Sequence, residues 1–477
     1  MMYALISKRC VHMVLRSLQN RPLKLSSLCR MSVIGLVVSG LLGCSTTSRP
    51  SFDQLAQDAK TNYQTWSEVQ QDALLANEIT ELVAIPELTQ LVSHALSQNP
   101  GLQQTAIAVK IAYQQQGLTN SARLPQVSAG LTSENSEDNE ISYKSDVTVS
   151  WELDLWQKLS DEVSAAEMDL AASSVNYQAA KDLLAANVMR SWLKINLQQQ
   201  IIQIEEQRLE SQEANELFIL ERYRSGLGDL EGLDTARTNS ETTRSTLESF
   251  REDLTRERRT LALQLGYNAN NKLIPISASY PEVIQPLASL PEQDLGRRPD
   301  LQAAYFTILA QQYRTDIAYK SLLPSISLTG SLTEIASNPS DALFGGSAWK
   351  LLSSITAPLF QGGKLRVDIE IAKLTTEKDY WAYQETLLTA VNEVDNALSN
   401  ENSIKRQQQH LENAFDSAKR SSANYQVKYR QGLVNILDLL SVQQQAFDIQ
   451  TQLVTAQYNR LANRIDLGLA LGLGVSS

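Results

Sequence analysis

Side chains that could support enzyme chemistry are few in this sequence and widely separated. The histidines lie at positions 12, 94 and 410, and all three cysteines lie before residue 45. A zinc site or a histidine-dependent catalytic group needs several such residues that meet in one place. The body of the chain therefore lacks the residues for a disulfide framework or a Cys-rich zinc site. We predict a protein that is not an enzyme and that uses neither a metal nor a cofactor.

One short segment, Gly362-Gly363-Lys364, has a faint similarity to a phosphate-binding loop. In such a loop an earlier glycine and a Ser or Thr after the lysine hold the phosphates and Mg²⁺. Here Pro358 stands in place of that glycine and Leu365 in place of the hydroxyl residue. We interpret the segment as a tight turn from a strand into a helix.

The first 43 residues predict a secretory signal peptide. They contain six Lys and Arg and no acidic residue, and an apolar run extends from Met31 to Leu42. About twelve apolar residues are too few to span ~30 Å of hydrocarbon as a helix, whereas a basic flank before a short apolar run is typical of a signal peptide. The sequence Leu41-Leu42-Gly43-Cys44 resembles the bacterial lipobox. We therefore expect Cys44 to become the N-terminus and to carry an N-acyl group and an S-diacylglycerol lipid.

The residue after the predicted cleavage site and the charge of the mature chain indicate where the protein is located and which partners it can bind. Ser45 follows the cysteine, as in lipoproteins that are sorted to the outer membrane. Without the leader the chain has a net charge of −17, which argues against a nucleic-acid partner. Met13 is an alternative start of translation, and the sequence leaves that choice open.

The body of the chain contains one unit used twice. Two motifs return after 199 residues: Asn99–Leu102 as Arg298–Leu301, and Leu124–Ser128 as Leu323–Ser327. A third motif, Tyr223–Leu227, returns after 206 residues as Tyr429–Leu433. The difference of seven residues falls between about 131 and 151, which indicates a loop of different length in the two copies.

Each copy begins with a strand hairpin. From Tyr143 to Asp154 the odd positions are mostly apolar and the even positions polar, as in a strand with one apolar and one polar face. The same alternation occurs near residue 128 and twice more in the second copy. Strands of roughly ten residues can span an outer membrane when they are tilted.

Each hairpin is followed by a very long helical stretch. Residues 157–225 and 364–431 contain neither Gly nor Pro, and at 1.5 Å per residue each would extend roughly 100 Å. Leu159, Val163, Ala166 and Leu170, and farther along Val188, Trp192 and Ile195, are spaced like the packing seam of a coiled coil. Glycines then reverse the chain, and we predict return helices at 233–265 and 433–467.

This organisation predicts an oligomer. Four amphipathic strands cannot close a barrel, because about eight is the smallest number that does. Open strand edges are not tolerated in lipid. Several chains must therefore share one barrel, whose polar strand face lines a lumen.

Together these features resemble the TolC-type outer-membrane efflux channels, the outer-membrane factors, and in particular their acylated, NodT-like lipoprotein branch. The motifs that carry the resemblance are the lipobox at Cys44, Arg297–Leu301, Trp151–Trp156 and the paired Tyr-Arg-x-Gly-Leu tips. The resemblance implies a mainly α-helical homotrimer, whose 12-stranded outer-membrane β-barrel is continued by a long periplasmic α-helical barrel. It also implies a lipid-anchored channel subunit that exports small solutes such as drugs with a periplasmic adaptor (membrane fusion protein) and an inner-membrane pump.

The expected organisation is as follows: signal peptide 1–43; lipidated segment 44–85; first repeat 86–270, with a strand hairpin near 124–154 and a helical hairpin at 157–267; linker 271–290; second repeat 291–473, with a strand hairpin near 323–360 and a helical hairpin at 364–467.

The resemblance also implies roles for residues at the two helical tips. The expected adaptor contacts are Arg224, Gly226, Leu227, Arg430, Gly432 and Leu433. Asp438 matches a carboxylate that rings the periplasmic aperture in the family, and Tyr429 matches a tyrosine that holds the closed state. The usual partner of that tyrosine is an Asp at the position of Gly232, so Glu231 or Asp234 is expected to replace it.

Several alternatives stay open. The exported cargo could instead be metal ions or, through type I secretion, a protein. A structural or adaptor coiled-coil lipoprotein without a pore is a further reading, but it leaves the four strands unexplained. Asp438 could be a solvated carboxylate on the outer face, Tyr429 could be ordinary packing, and the tips could be simple turns.

Overall fold

The computed structural model describes residues 52–61, 76, 78–83, 85–136, 139–268 and 295–475. The predicted signal peptide, the lipidation site Cys44 and the linker 271–290 lie outside these residues. The elements are helices α1 (Phe52–Thr61), α2 (Pro86–Gln98) and α3 (Pro100–Ser121), strands β1 (Gln126–Ser136) and β2 (Asn139–Glu152), helices α4 (Lys158–Arg224), α5 (Leu230–Gln264) and α6 (Pro299–Lys320), strand β3 (Ser325–Ala336), helix α7 (Pro339–Phe344), strand β4 (Ala348–Thr356), and helices α8 (Lys364–Arg430) and α9 (Ile436–Ala470). The mainly α-helical, internally duplicated fold with four strands is confirmed.

The two long helices, α4 and α8, each have 67 residues without interruption. Freedom from Gly and Pro permits this length, and packing on neighbouring helices stabilises it. The predicted seam on α4 is correct at Leu159 and Val163, and again at Val188, Trp192 and Ile195, all of which are buried. After Val163 the buried position shifts to Ala165. Ala166 and Leu170 are only half-buried, because α4 contacts helices on more than one side.

The return helices begin at different residues from those predicted. Predicted at 233 and 433, they start at Leu230 and Ile436. The residues before them, Asp229 and Asn435, accept hydrogen bonds through their side chains from the first-turn N–H groups, at 2.7 and 2.8 Å. Such N-caps satisfy donors that have no partner inside the helix.

The four strands form one antiparallel sheet in the order β1-β2-β3-β4. The two hairpins are β1–β2 and β3–β4, and β2 joins β3 across the two copies. The extra residues of the second hairpin contain α7, which packs on β3 and β2. Its Ala342 is buried, and the carbonyl of Ala342 accepts a hydrogen bond from the Ser145 hydroxyl.

The hydrophobic core lies where the helices of both copies meet. The larger cluster packs Trp192 of α4 against Leu88 of α2, Leu261 of α5 and Ile465 of α9. A second cluster joins α6, α8 and α9 around Leu387. Packing between copies is reinforced by an ion pair from Arg208 on α4 to Asp448 on α9, 2.7 Å long. In the described ranges, none of the helices is long and apolar enough to cross a membrane.

Candidate channel wall and helical tips

The two faces of the sheet differ in chemistry, as the alternation predicts. One face pairs apolar residues across strands, including Val127 with Val149, Val147 with Leu332, and Ile326 with Ile355. Except for Ile326, which is half-buried, these residues are exposed in the single chain, with Val127 69% and Ile355 70% accessible. An exposed apolar sheet face of this length fits contact with lipid hydrocarbon.

The opposite face of the sheet is mostly polar. It pairs Ser128 with Thr148, Ser150 with Thr329, and Ser327 with Ser354. The hydroxyls of Ser327 and Ser354 lie 2.7 Å apart and share a hydrogen bond. Ile335 and Leu352 are exceptions on this face. A hydroxyl-rich wall suits the water-filled side of a channel.

The segment Trp151–Trp156 connects the sheet to α4. The indole of Trp151 donates to the carbonyl of Arg123 at 2.9 Å, and that of Trp156 donates to the carbonyl of Pro324 at 2.6 Å. Asp154 accepts bonds from the N–H groups of Leu159 and Ser160, at 3.0 and 2.8 Å. The motif found in the sequence therefore fixes how the strands join the helices.

The carboxyl of Asp154 has a pKa below its ordinary value. Burial alone would raise this pKa, but hydrogen bonds from the Ser160 hydroxyl and from the backbone of Leu159 and Ser160 outweigh it. The charged carboxylate also lies at the positive N-terminal end of α4, which favours ionisation. Asp154 is thus an ionised cap at the sheet–helix junction.

The segment that resembles a phosphate-binding loop is a strand-to-helix turn, as predicted. Gly362 and Gly363 have φ angles of 60° and 92°, and α8 begins directly after them. The Nζ of Lys364 pairs with Asp368 one turn later, at 2.6 Å. In the first copy the equivalent of Gly363 is Gln157, which also adopts a positive φ, 60°.

The two helical tips have the same turn geometry. We define the first tip as Arg224–Leu227 and the second as Arg430–Leu433. Gly226 and Gly432 have φ angles of 72° and 73°, in the left-handed region that favours glycine. The next N–H, of Leu227 or Leu433, donates at 2.9 Å to a carbonyl in the last turn, which is a Schellman-type closure.

The tip side chains point into solvent. Leu227 and Leu433 are 69% and 68% exposed, and Arg224 and Arg430 are also exposed. In a Schellman turn a leucine at this position often packs on an apolar residue of the last turn. The corresponding residues here are Arg222 and Lys428, so closure of the turn does not bury either leucine.

The ends of α4 and α8, just before the two tips, meet around Tyr429. This ring is buried, and its edge contacts Phe218 with the ring centroids 5.7 Å apart. The guanidinium of Arg222 lies 5.8 Å from the ring centroid and donates to the Tyr429 hydroxyl at 3.4 Å. Arg222 also donates to the carbonyl of Leu227 at 3.0 Å. Within one chain, Tyr429 is therefore linked to the first tip through Arg222, while Glu231 and Asp234 are exposed.

Asp438 and its first-copy equivalent, Gly232, have different surroundings. Asp438 is exposed in the first turn of α9, and its N–H donates to Asn435. Gly232 is buried, and a Cβ there would lie 3.0 Å from the Asp229 carboxylate and 3.6 Å from Ile436. A side chain at position 232 would therefore crowd the Asp229 carboxylate, which caps α5.

Sequence reasoning missed Arg222 and Phe218 as partners of Tyr429. Arg222 lies 207 residues before Tyr429 in the sequence, so no local sequence pattern links the two. An available signal was that Arg222 lies one position before Tyr223, the equivalent of Tyr429, and carries a positive charge at a helix end.

Comparison with known proteins decides the family. The sequence pattern described as "Outer membrane efflux protein" matches residues 91–267 and 290–473. The chain belongs to this family. One relative of this outer membrane efflux protein is the "Probable outer membrane lipoprotein SilC" of Salmonella typhimurium, 26% identical over 82% of this chain and 86% of that protein. Another is "Outer membrane protein OprJ" of Pseudomonas aeruginosa, 27% identical over 81% of this chain and 84% of that protein.

Solved structures agree on the fold. A crystal structure of CusC, 24% identical, matches with a TM-score of 0.78 and covers 87% of this chain and 99% of that chain. The outer membrane efflux protein described here is therefore a non-enzymatic, TolC-type outer-membrane channel of tripartite efflux systems, with a part that extends into the periplasm. Channels of this family are trimers that work with other efflux components.

Proposed function

We propose that this outer-membrane channel exports small solutes such as drugs, together with a periplasmic adaptor and an inner-membrane pump. The observation that carries the proposal is the continuity of the sheet, with one apolar and one hydroxyl-rich face, into two 67-residue helices. Several chains joined through such units enclose a polar path through the membrane and away from it. Among relatives, TtgF of Pseudomonas putida is described as a toluene efflux pump outer membrane protein, 28% identical.

Deletion of the gene tests this proposal. A deletion strain should become several-fold more susceptible to organic drugs, and the intact chain should restore resistance. Purified protein should also form ion-conducting trimers in planar bilayers. Conduction without any change in susceptibility would remove drugs as the cargo and leave the channel in place.

Metal ions are the alternative cargo, and specific relatives favour them. CusC of Escherichia coli K12, 27% identical over 81% of this chain, is described as a cation efflux system protein. The same deletion strain should then be sensitive to metal cations and unchanged toward drugs. The two panels of compounds separate the two cargoes in one experiment.

We assign the adaptor contact to the two tips. The side chains of Leu227 and Leu433 are exposed and take no part in closing the turns, which the backbone N–H groups close. Arg224 and Arg430 add positive charge beside them. Gly226 and Gly432 have no side chain, and the space beside them is open. An apolar knob with a basic rim suits a helical hairpin of the adaptor with apolar and acidic residues.

We assign the aperture to the same end of the molecule. Asp438 is exposed at the start of α9, so three copies would place carboxylates in one ring that favours cations. Tyr429 and Arg222 form the link that holds the two tips of one chain together. Glu231 and Asp234, exposed in the first turns of α5, contribute negative charge at the same level.

We also propose that Cys44 carries the lipid anchor and that residues 1–43 are removed. The support is the lipobox and the description of the relative SilC as a lipoprotein. Two or more acyl chains are needed for stable anchoring. Cys44→Ser should abolish labelling with palmitate and slow removal of the leader, and unchanged labelling would contradict the assignment. The two repeats, 86–270 and 291–473, then begin after the segment 44–85.

A further inference from the structure

The sheet leaves the outer edges of β1 and β4 unpaired within the described part of the chain. An open edge exposes N–H and C=O groups that lipid cannot satisfy. We propose that β4 pairs with β1 of a second copy of this chain in one particular register, which the internal duplication specifies. The inference rests on the proposed channel and adds the residues that form its seam.

The duplication preserves strand register in the two hairpins. In the first hairpin, Val127 faces Val149. Moving the first residue by 199 positions and the second by 206, the two offsets of the repeat, gives Ile326 and Ile355, which face each other in the second hairpin. The pair Ala129 and Val147 likewise maps onto the observed pair Leu328 and Ser353.

The contact between β2 and β3 is where the first copy meets the second. By the same symmetry, β4 of the second copy meets β1, the first-copy equivalent of β3, in the partner subunit. The observed pairs are Thr148 with Ser331 and Val149 with Gly330. Moved by the same offsets, they become Ser354 with Thr132 of the partner subunit, and Ile355 with Leu131 of the partner subunit.

The chemistry of this register is consistent on both faces. Ile355 and Leu131 both belong to the apolar face, at 70% and 52% exposure, so their pairing continues the apolar surface. Ser354 and Thr132 both belong to the polar face. A shift by one residue would place apolar residues of β4 on the polar side of β1.

The helices below the sheet show the same missing neighbour. In the first copy, α4 has 21 buried residues and contacts α6 of the second copy. The equally long α8 of the second copy has only eight buried residues. Ala165 of α4 is buried, but its equivalent on α8, Ile371, is 57% exposed. On the other side Ala310 of α6 is fully buried, and its equivalent on α3, Ile111, is 62% exposed. The duplication therefore places Ile371 and Ile111 on the two surfaces that form the seam.

A backbone bond extends the register beyond the strands. The N–H of Leu153 donates to the carbonyl of Ile326 at 2.9 Å, just after β2. The equivalent donor is Leu359, which is 95% exposed, and its acceptor is the carbonyl of Val127 of the partner subunit. The pairing thus continues for three residues past the end of β4.

Cysteine crosslinking tests the register, since the natural cysteines all lie before residue 45. The full chain is made with Ser354→Cys and Thr132→Cys, and separately with Ile355→Cys and Leu131→Cys. One pair faces the lumen and the other faces lipid, and together they sample both kinds of antiparallel pair. Mild oxidation should convert most of at least one variant into covalent trimers on denaturing gels, and reduction should reverse this.

Each single-cysteine variant and the displaced pair Ser354→Cys with Glu134→Cys are the controls, and all should stay monomeric on the same gels. Crosslinking mainly of the displaced pair, or of no pair in protein that forms trimers, overturns the register and leaves the channel intact. Failure of the chain to form trimers before oxidation overturns both proposals. The positive control for oxidation carries Ser327→Cys and Ser354→Cys. The two serine hydroxyls lie 2.7 Å apart within one chain, so a disulfide should form between these positions.

Discussion

Asn99 and Arg298 hold the same position in the two copies, and each donates a hydrogen bond to the last carbonyl of the return helix of its own copy. The Nδ2 of Asn99 lies 2.8 Å from the carbonyl oxygen of Gln264, and Nη1 of Arg298 lies 3.0 Å from that of Ala470. The last carbonyls of a helix have no partner inside it. Two different side chains therefore perform the same task at equivalent places, although only Arg298 adds ion pairs, with Asp300 and Glu393.

Arg298→Met should destabilise the protein. Arg298 is buried, and its loss leaves the Ala470 carbonyl without this donor and two carboxylates without their counter-ion. Water reaches both carboxylates, so we expect a loss of about 2 kcal/mol rather than the larger cost of a fully buried pair. Thermal unfolding followed by circular dichroism measures this. The control is Arg256→Met, whose side chain is 65% exposed; equal melting of the two variants would contradict the prediction.

Asp154→Asn should weaken the sheet–helix junction in a manner that depends on pH. The pKa of Asp154 is lowered in the folded state, so its stabilising effect is present above the pKa of the unfolded chain. That effect is lost as pH falls through the folded pKa. We expect the variant to be less stable by about 1 kcal/mol, the usual worth of a helix cap, at neutral pH.

The difference between wild type and Asp154→Asn should shrink as pH falls below the ordinary pKa of an aspartate, and it should disappear once the carboxyl is protonated in the folded state as well. Melting curves recorded from neutral to acidic pH measure it. A difference that stays constant over this range would show that the charge of Asp154 is irrelevant to its role as a cap.

Asp438→Ala should change ion conduction. If Asp438 rings the aperture, its loss should raise single-channel conductance and reduce cation preference by about two-fold. The measurement is conductance and reversal potential of purified trimers under a salt gradient. Glu248→Ala is the control, because Glu248 is 71% exposed on α5 and far along the chain from the tip. If both variants conduct like wild type, Asp438 lies away from the pore.

Tyr429→Phe tests the link between the tips while keeping the ring that packs on Phe218. Loss of one hydrogen bond worth about 1 kcal/mol should shift the balance of closed and open channels about five-fold toward open. The open fraction of single-channel recordings gives this balance directly. The matched control is Tyr223→Phe, at the equivalent, 42% exposed position of the first copy. An equal shift in both variants would argue against a specific link through Arg222.

Replacement of Leu227 and Leu433 by Ser should weaken contact with the adaptor. Burial of each leucine on docking is worth roughly 1–2 kcal/mol, so the double variant should bind at least about ten-fold more weakly. Crosslinking of adaptor to channel in cells measures this, with trimer formation unchanged. Leu217→Ser, at a 64% exposed site on α4, is the control. Normal crosslinking in the double variant would reduce the tips to simple turns.

Local features of the sequence predicted much of the fold correctly. The alternation in Tyr143–Asp154 gave a real strand face, and the glycines at 226 and 432 do take positive φ. Helix boundaries and the seam were less accurate: α9 begins three residues later than predicted, at Ile436, and Ala165 is buried in place of Ala166. Capping and lateral packing decide these details, and both depend on neighbours outside the local window.

The sequence by itself determined the duplication, the period of each element and the chemistry of each strand face, because these are properties of residues close together or at a constant offset. Only the tertiary structure decided which elements meet. The pairing of Val147 with Leu332 and the contact of Arg222 with Tyr429 join residues about 200 positions apart, and no local pattern encodes such a distance. They arise because helices of the two copies bury apolar surface against each other, and that packing selects the side chains that meet near the tips.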